Sequence, residues 1–168
     1  KYVANATIRR DGYSAFGAGK KYGVFPAFGV SWILTQEPFL SDVRGIDNLK
    51  LRASWGENGN RGVSRYSSLS NMSQTYYVFG DGGAPSVGLY TSSLGNPKLG
   101  WETTTSLNFG ADFDVLATRI SGSVDYYLSK THDLLLRQSI PSMSGYTSIL
   151  RNIGETQNNG FELSLTSR

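Results

Sequence analysis

A chain of 168 residues with no cysteine excludes a disulfide framework and a thiolate metal site, and its formal charge of +3 comes from scattered Lys and Arg rather than a basic block for nucleic acid. Hydrophobic content of 39% is low for a self-contained core of this size, while 12% aromatic residues, with 10 Tyr among them, favour half-wet surfaces where a ring is buried and its hydroxyl solvated. No stretch approaches the roughly 20 apolar residues of a membrane helix, a test to which strands with alternating faces are invisible.

Period-2 alternation, the signature of a half-buried strand, recurs in six places. Residues 2–10 put Tyr2, Ala4, Ala6 and Ile8 on one face. Residues 22–34 do the same with Tyr22, Val24, Pro26, Phe28, Val30, Trp32 and Leu34, although Phe25 and Ile33 spoil the other face. In "NLKLRASW", Leu49, Leu51, Ala53 and Trp55 alternate with Lys50, Arg52 and Ser54. In "WETTTSLNFGADF", Trp101, Leu107, Phe109, Ala111 and Phe113 oppose Glu102, Asn108 and Asp112. From Arg119 onward, Ile120, Gly122, Val124, Tyr126 and Leu128 oppose Arg119, Ser121, Ser123 and Asp125. The last pattern sets Phe161, Leu163 and Leu165 against Glu162, Ser164 and Thr166. These strands exceed the usual soluble length of about 5 to 6 residues and approach the 9 to 11 of a membrane-crossing strand.

The connections alternate in length. "DVLAT" joins the fourth strand to the fifth and "TQEPFLSDVRGID" the second to the third, whereas residues 57–99 form a long Gly-, Ser-, Asn- and Tyr-rich loop without a strand pattern. Short turns at one end and long loops at the other characterise outer-membrane barrels. Tyr22, Phe25, Trp55, Trp101, Tyr126 and Tyr127 near strand ends suit the aromatic girdles at lipid headgroups. Trp55, Trp101, Leu107, Phe109, Phe113 and Tyr126 are thus assigned to the lipid or girdle side, and Lys50, Arg52, Glu102, Asn108, Asp112, Arg119 and Asp125 to a hydrated lumen wall. A spanning sheet must close, and six strands are fewer than the eight of the smallest single-chain bacterial barrels. The expected fold is therefore all-β, with about six long antiparallel strands contributing to a larger transmembrane barrel.

Catalytic signals are weak, and no enzyme activity, cofactor or metal site is expected. His132 lies beside Asp133 without a nucleophile-elbow context, and it reads as a loop or strand-end residue. "GAGKK" at 17–21 has Ser14 where a phosphate loop needs its first Gly and Lys21 where it needs Ser or Thr, so it reads as a hairpin loop. The best binding candidates stand in and after "SRYSSLSNMSQTYYVFGDGGAP": Tyr66, Tyr76, Tyr77, Phe79 and Tyr90 offer flat apolar faces among hydrogen-bonding side chains.

Six segments in consistent order, "RRDGYSAFG", "FPAFGVSW", "LKLRASWGENGN", "NPKLGWETTTSLNFGADF", "SVDYYLSKTHDLLL" and "NIGETQNNGFELSL", resemble the barrel of SusC/RagA-type TonB-dependent outer-membrane transporters of Bacteroidetes. Tyr13, Ser14 and Ala15 before Phe16 depart from the family's usual continuation, within an expected loop. The resemblance implies that residues 1–168 are part of a barrel, with the plug domain, the TonB box and the closing strand lying elsewhere. It further implies import of oligosaccharides or peptides across the outer membrane, energised through TonB, with a SusD-like surface lipoprotein as partner and the loops after Gly56 and Leu136 facing outward. Two other readings stay open at this point: a porin or adhesin barrel independent of TonB, and a secreted carbohydrate-binding β-sandwich.

Overall fold

The computed structural model describes residues 1–41, 43–80 and 82–168. Six long strands form one antiparallel sheet: β1 (Tyr2–Gly12), β2 (Tyr22–Ile33), β3 (Ile46–Asn60), β6 (Glu102–Val115), β7 (Ile120–His132) and β10 (Glu155–Ser167), neighbours in that order. Two short hairpins are inserted, β4 (Asn71–Val78) with β5 (Pro85–Ser93), and β8 (Leu135–Ser139) with β9 (Ser148–Asn152). The strands alternate in direction, so connections 13–21, 61–101 and 133–154 gather at one end, the crown. Connections 34–45 and 116–119 lie at the other, the base. The long connection is therefore not patternless: β3 runs past Trp55 to Asn60, and β4 and β5 occupy much of the remaining length.

Pairing register places the apolar residues on one face. Ala4, Val30, Ala53, Phe109, Tyr126 and Phe161 form one continuous row, and Tyr2, Trp32, Leu51, Ala111, Val124 and Leu163 the next toward the base. A slip of one residue in any pair would send a whole strand's apolar set to the other face, so the rows fix the register. On β2 the apolar set runs from Tyr22 to Trp32. That is about 33 Å along the strand, or about 25 Å across a membrane once tilted by ~40°, the height of an outer-membrane barrel's apolar band.

The band's upper margin is staggered. Phe28 pairs with Trp55, which faces Leu107, which faces Leu128. One row nearer the crown, Pro26 keeps β2 apolar while Glu57, Thr105 and Lys130 fill the row in β3, β6 and β7. In β10 the row of Leu128 already carries Asn159.

Little of the chain is buried. Among the described residues, the apolar side chains shut off from solvent are Ala15, Phe16, Phe25 and Leu99, all at the crown. The surface of 11643 Å² exceeds the roughly 8,100 Å² of a compact monomer of this mass. Both outer strands, β1 and β10, present an unpaired edge. The sheet is single rather than two stacked layers, which overturns the β-sandwich reading.

The base turn 116–119 is tight. Leu116, Ala117 and Thr118 all take positive φ (58°, 55° and 61°), held as the Leu116 N–H donates to the Gly45 carbonyl at 3.0 Å and the Thr118 N–H to the Asp47 carboxylate at 2.8 Å. Arg119 lies in this exposed turn, so its expected place on the lumen wall is corrected: β7 begins only at Ile120.

Candidate functional site

Two regions carry the polar chemistry: the wall opposite the apolar face, and the crown. On the wall, the register aligns Val3, Ser31, Arg52, Gly110, Asp125 and Glu162 in one row, with Lys50, Asp112, Ser123 and Ser164 in the next toward the base. Arg52 forks between the two rows. Its Nε and Nη2 donate to the Asp112 carboxylate, both at 2.8 Å, and Nη2 also reaches Asp125 at 3.1 Å. Lys50 approaches Asp112 at 3.9 Å.

Gly110 makes this arrangement possible. A Cβ there would lie 2.3 Å from Asp125 Oδ1 and 2.8 Å from Arg52 Nη2, so the ion pair crosses β6 over a residue without a side chain. Asn108 lies in the row with Ser54 and Tyr127, and Glu102 accepts from Asn60 Nδ2 at 3.0 Å and from the Leu135 N–H at 3.2 Å. Lys50, Arg52, Glu102, Asn108, Asp112 and Asp125 therefore share the polar face.

The crown is knit from three connections. Leu99 and Phe16 sit fully buried at its centre, Tyr13 and Trp101 pack edge-on against Phe16 with centroids 5.1 Å away, and Phe25 meets Trp101 at 5.5 Å. The Gly17 N–H donates to the Leu99 carbonyl at 2.9 Å. Asn152 fastens the third connection: its Oδ1 accepts from the Gly100 N–H at 2.8 Å while Nδ2 donates to the Gly100 and Asp133 carbonyls, both at 3.0 Å. Leu94 bridges Ile149.

Trp101 thus needs correcting as a girdle residue. It precedes β6, which starts at Glu102, and its ring is packed within the crown rather than standing free at the end of the apolar row. Trp55 and Tyr126 stay on the apolar face, but in mid-strand, against Phe28 (5.3 Å) and Phe161 (4.8 Å) respectively. The rings at the band's limits are instead Tyr22 at the crown, and Tyr2 stacked on Trp32 at 5.9 Å with Phe39 at 6.3 Å beyond, at the base. Leu107, Phe109 and Phe113 lie on the apolar side of the sheet with Trp55.

The aromatic binding candidates do not converge on one pocket. Tyr76, Tyr77 and Tyr90 lie on the β4–β5 hairpin, Phe79 follows β4, and all four are exposed. Register puts Met72, Tyr76, Val78, Val87 and Leu89 on one side of the hairpin and Tyr77 and Tyr90 on the other, where Phe79 meets Tyr77 at 4.9 Å. Tyr66 is separate: it lines a recess between the β1–β2 connection and the segment after β3, with Tyr13, Tyr22, Lys21, Arg61 and Arg65. Arg61 and Arg65 escaped the sequence reading, and Lys21 entered it only as part of a hairpin loop, because the three come from two loops with no motif to link them.

At the base, Glu37 is buried, accepting from Trp32 Nε1 and Lys1 Nζ at 3.1 Å each. The Trp32 hydrogen bond, followed by that from Lys1, holds its carboxyl below the ordinary carboxylate value. Among the described residues no group of His, Asp and Glu is arranged to hold a metal ion.

The comparisons with known proteins agree with this geometry. A family model described as TonB dependent receptor-like, beta-barrel matches residues 1–168. TonB-dependent receptor P3 of Formosa agariphila is 40% identical over 168 residues, covering 100% of this chain and 17% of the relative. TonB-dependent receptor SusC of Bacteroides thetaiotaomicron is 35% identical over 177 residues, covering 100% of this chain and 17% of the relative. Among solved structures, the RagAB peptide importer in its closed-closed state superposes with a TM-score of 0.86 at 28% identity, over 99% of this chain and 18% of that one. The chain spans about a sixth of the length of these relatives.

Proposed function

The chain belongs to the TonB-dependent receptor β-barrel family, and from that membership we propose that it forms six adjacent strands of an outer-membrane importer. In this reading the face of Phe109, Tyr126 and Phe161 meets lipid and the Arg52 face lines the lumen beside a plug supplied by the rest of the polypeptide. The crown faces outward, and the base, with its short turn, faces the periplasm. A surface lipoprotein of the SusD kind delivers the substrate, an oligosaccharide or a peptide, and TonB supplies the energy. The chain binds and conducts; no step breaks a covalent bond.

The observation that carries this reading is the two-faced sheet with both edges open, since a lipid-facing sheet must be closed by further strands. Membership in this family sets aside the TonB-independent porin and adhesin. The test is uptake by cells whose only copy of the receptor is the full-length parent. Accumulation of its substrate should depend on TonB and fall when the adjacent lipoprotein gene is deleted. Uptake that persists without TonB at unchanged rate would refute the importer reading.

A further inference from the structure

The recess at the crown has a composition unlike the rest of the molecule. Lys21, Arg61 and Arg65 line it without any carboxylate, and among the described residues none of the three forms an ion pair. The wall cations Lys50 and Arg52, by contrast, are answered by Asp112 and Asp125. Like charges gathered without a counter-charge repel one another, so an arrangement of this kind is stabilised by an anion that enters it.

The rings are placed beside these cations. The Arg61 guanidinium lies over Tyr13 at 4.9 Å from the ring centre. Tyr13 is locked as its hydroxyl donates to the Val63 carbonyl at 2.9 Å, which ties the β1–β2 connection to the segment carrying Arg61 and Arg65. Tyr66 takes a positive φ of 65° and is 66% exposed, a backbone conformation that costs energy for a non-glycine residue and presents its ring to the opening. The floor beneath is Phe16, fully buried, so the recess is built on rigid packing.

We propose that this recess is a binding site for acidic oligosaccharides, with Arg61 and Arg65 holding a uronate carboxylate or a sulfate ester and Tyr66 stacking on the apolar face of a sugar ring. Planar guanidinium groups match such two-oxygen anions, and an exposed aromatic ring offers a flat apolar face on which a pyranose ring can lie. The proposal rests on the importer reading above and narrows its substrate class.

The test uses the purified full-length receptor in detergent, applied to a panel of uronate-rich and sulfated oligosaccharides beside neutral ones of matched length. The wild type should bind members of the acidic set in preference to the neutral set. The double variant Arg61→Gln/Arg65→Gln should weaken acidic binding by roughly tenfold or more while leaving neutral binding unchanged, a loss that raised salt reproduces in the wild type. Tyr66→Gly, which suits the positive φ, should weaken acidic binding without altering its salt dependence. Heat-modifiable gel mobility confirms that each variant is folded.

Equal binding of acidic and neutral glycans, or acidic binding that survives the double substitution, would overturn the proposal. So would an effect seen only with acidic peptides or only with lipopolysaccharide-bearing vesicles. A receptor that selects acidic glycans through Arg61 and Arg65, yet supports uptake without TonB, would refute the importer reading and leave this site standing.

Discussion

Glu37 shows how one side chain at the base is tuned by its neighbours. The indole N–H of Trp32 and the ammonium of Lys1 stabilise its charged form, so its pKa in the folded state lies below the ordinary value of 4.5. A carboxyl depressed on folding contributes stability that is fully present above its unfolded pKa and is lost as pH falls through the folded one. The stability difference between the parent protein and its Glu37→Gln variant should therefore be constant near neutrality and shrink below about pH 4.5. Denaturant titrations at a series of pH values measure it, and a difference that grew as the pH fell would contradict the assignment. Gly110 makes a complementary point at the wall, where a missing side chain lets Arg52 reach Asp125 across β6. Alternation revealed that Arg52, Asp112 and Asp125 share a face, but not that Arg52 would bridge both acids. That depends on a register between strands distant in sequence.

At the scale of elements, legibility followed the contrast between faces. The strand from Leu49 to Trp55 and that from Leu107 to Phe113 alternate apolar and polar residues strictly, so both were readable. The hairpin β4–β5 was not, because Tyr76 and Tyr77 put rings on both faces and no binary pattern survives. Strands β8 and β9, five residues each, are too short to show a period. Parity also misled beyond strand ends: carried back from Leu107 it placed Trp101 among the lipid-facing rings, whereas β6 starts one residue later and the indole packs on Phe16 and Phe25. The turn 116–119 had no glycine to announce its three left-handed residues, which lean on Gly45 and Asp47 for support. Face assignment makes a direct prediction. In the full-length parent, Phe109→Lys should cost roughly 2 to 4 kcal/mol of folding stability, as a cation near the bilayer midplane does, while Asn108→Lys one residue away should cost far less. Reversible unfolding of the barrel in lipid vesicles compares the two, and equal costs would reverse the faces.

For the molecule as a whole, the open question is what keeps six strands in this arrangement. The chain exposes about 3,500 Å² beyond what a compact monomer of its mass would. The apolar face contributes to the excess, with Phe161 80% and Ile8 74% exposed. Such a face is unfavourable in water, and each unpaired backbone group on the β1 and β10 edges costs several kcal/mol in hydrocarbon. Neither solvent therefore suits the isolated sheet: water meets an oily face, and lipid meets two open edges. Residues 1–168 produced alone should aggregate in buffer and, in detergent, should lack the heat-modifiable mobility of a closed barrel, whereas the same residues within the full-length parent should show it. Sedimentation velocity and unheated gel electrophoresis read the two outcomes. A monodisperse monomer in plain buffer with a cooperative unfolding transition would mean that the apolar face finds cover within the chain, and the lipid assignment of Phe109, Tyr126 and Phe161 would fall with it.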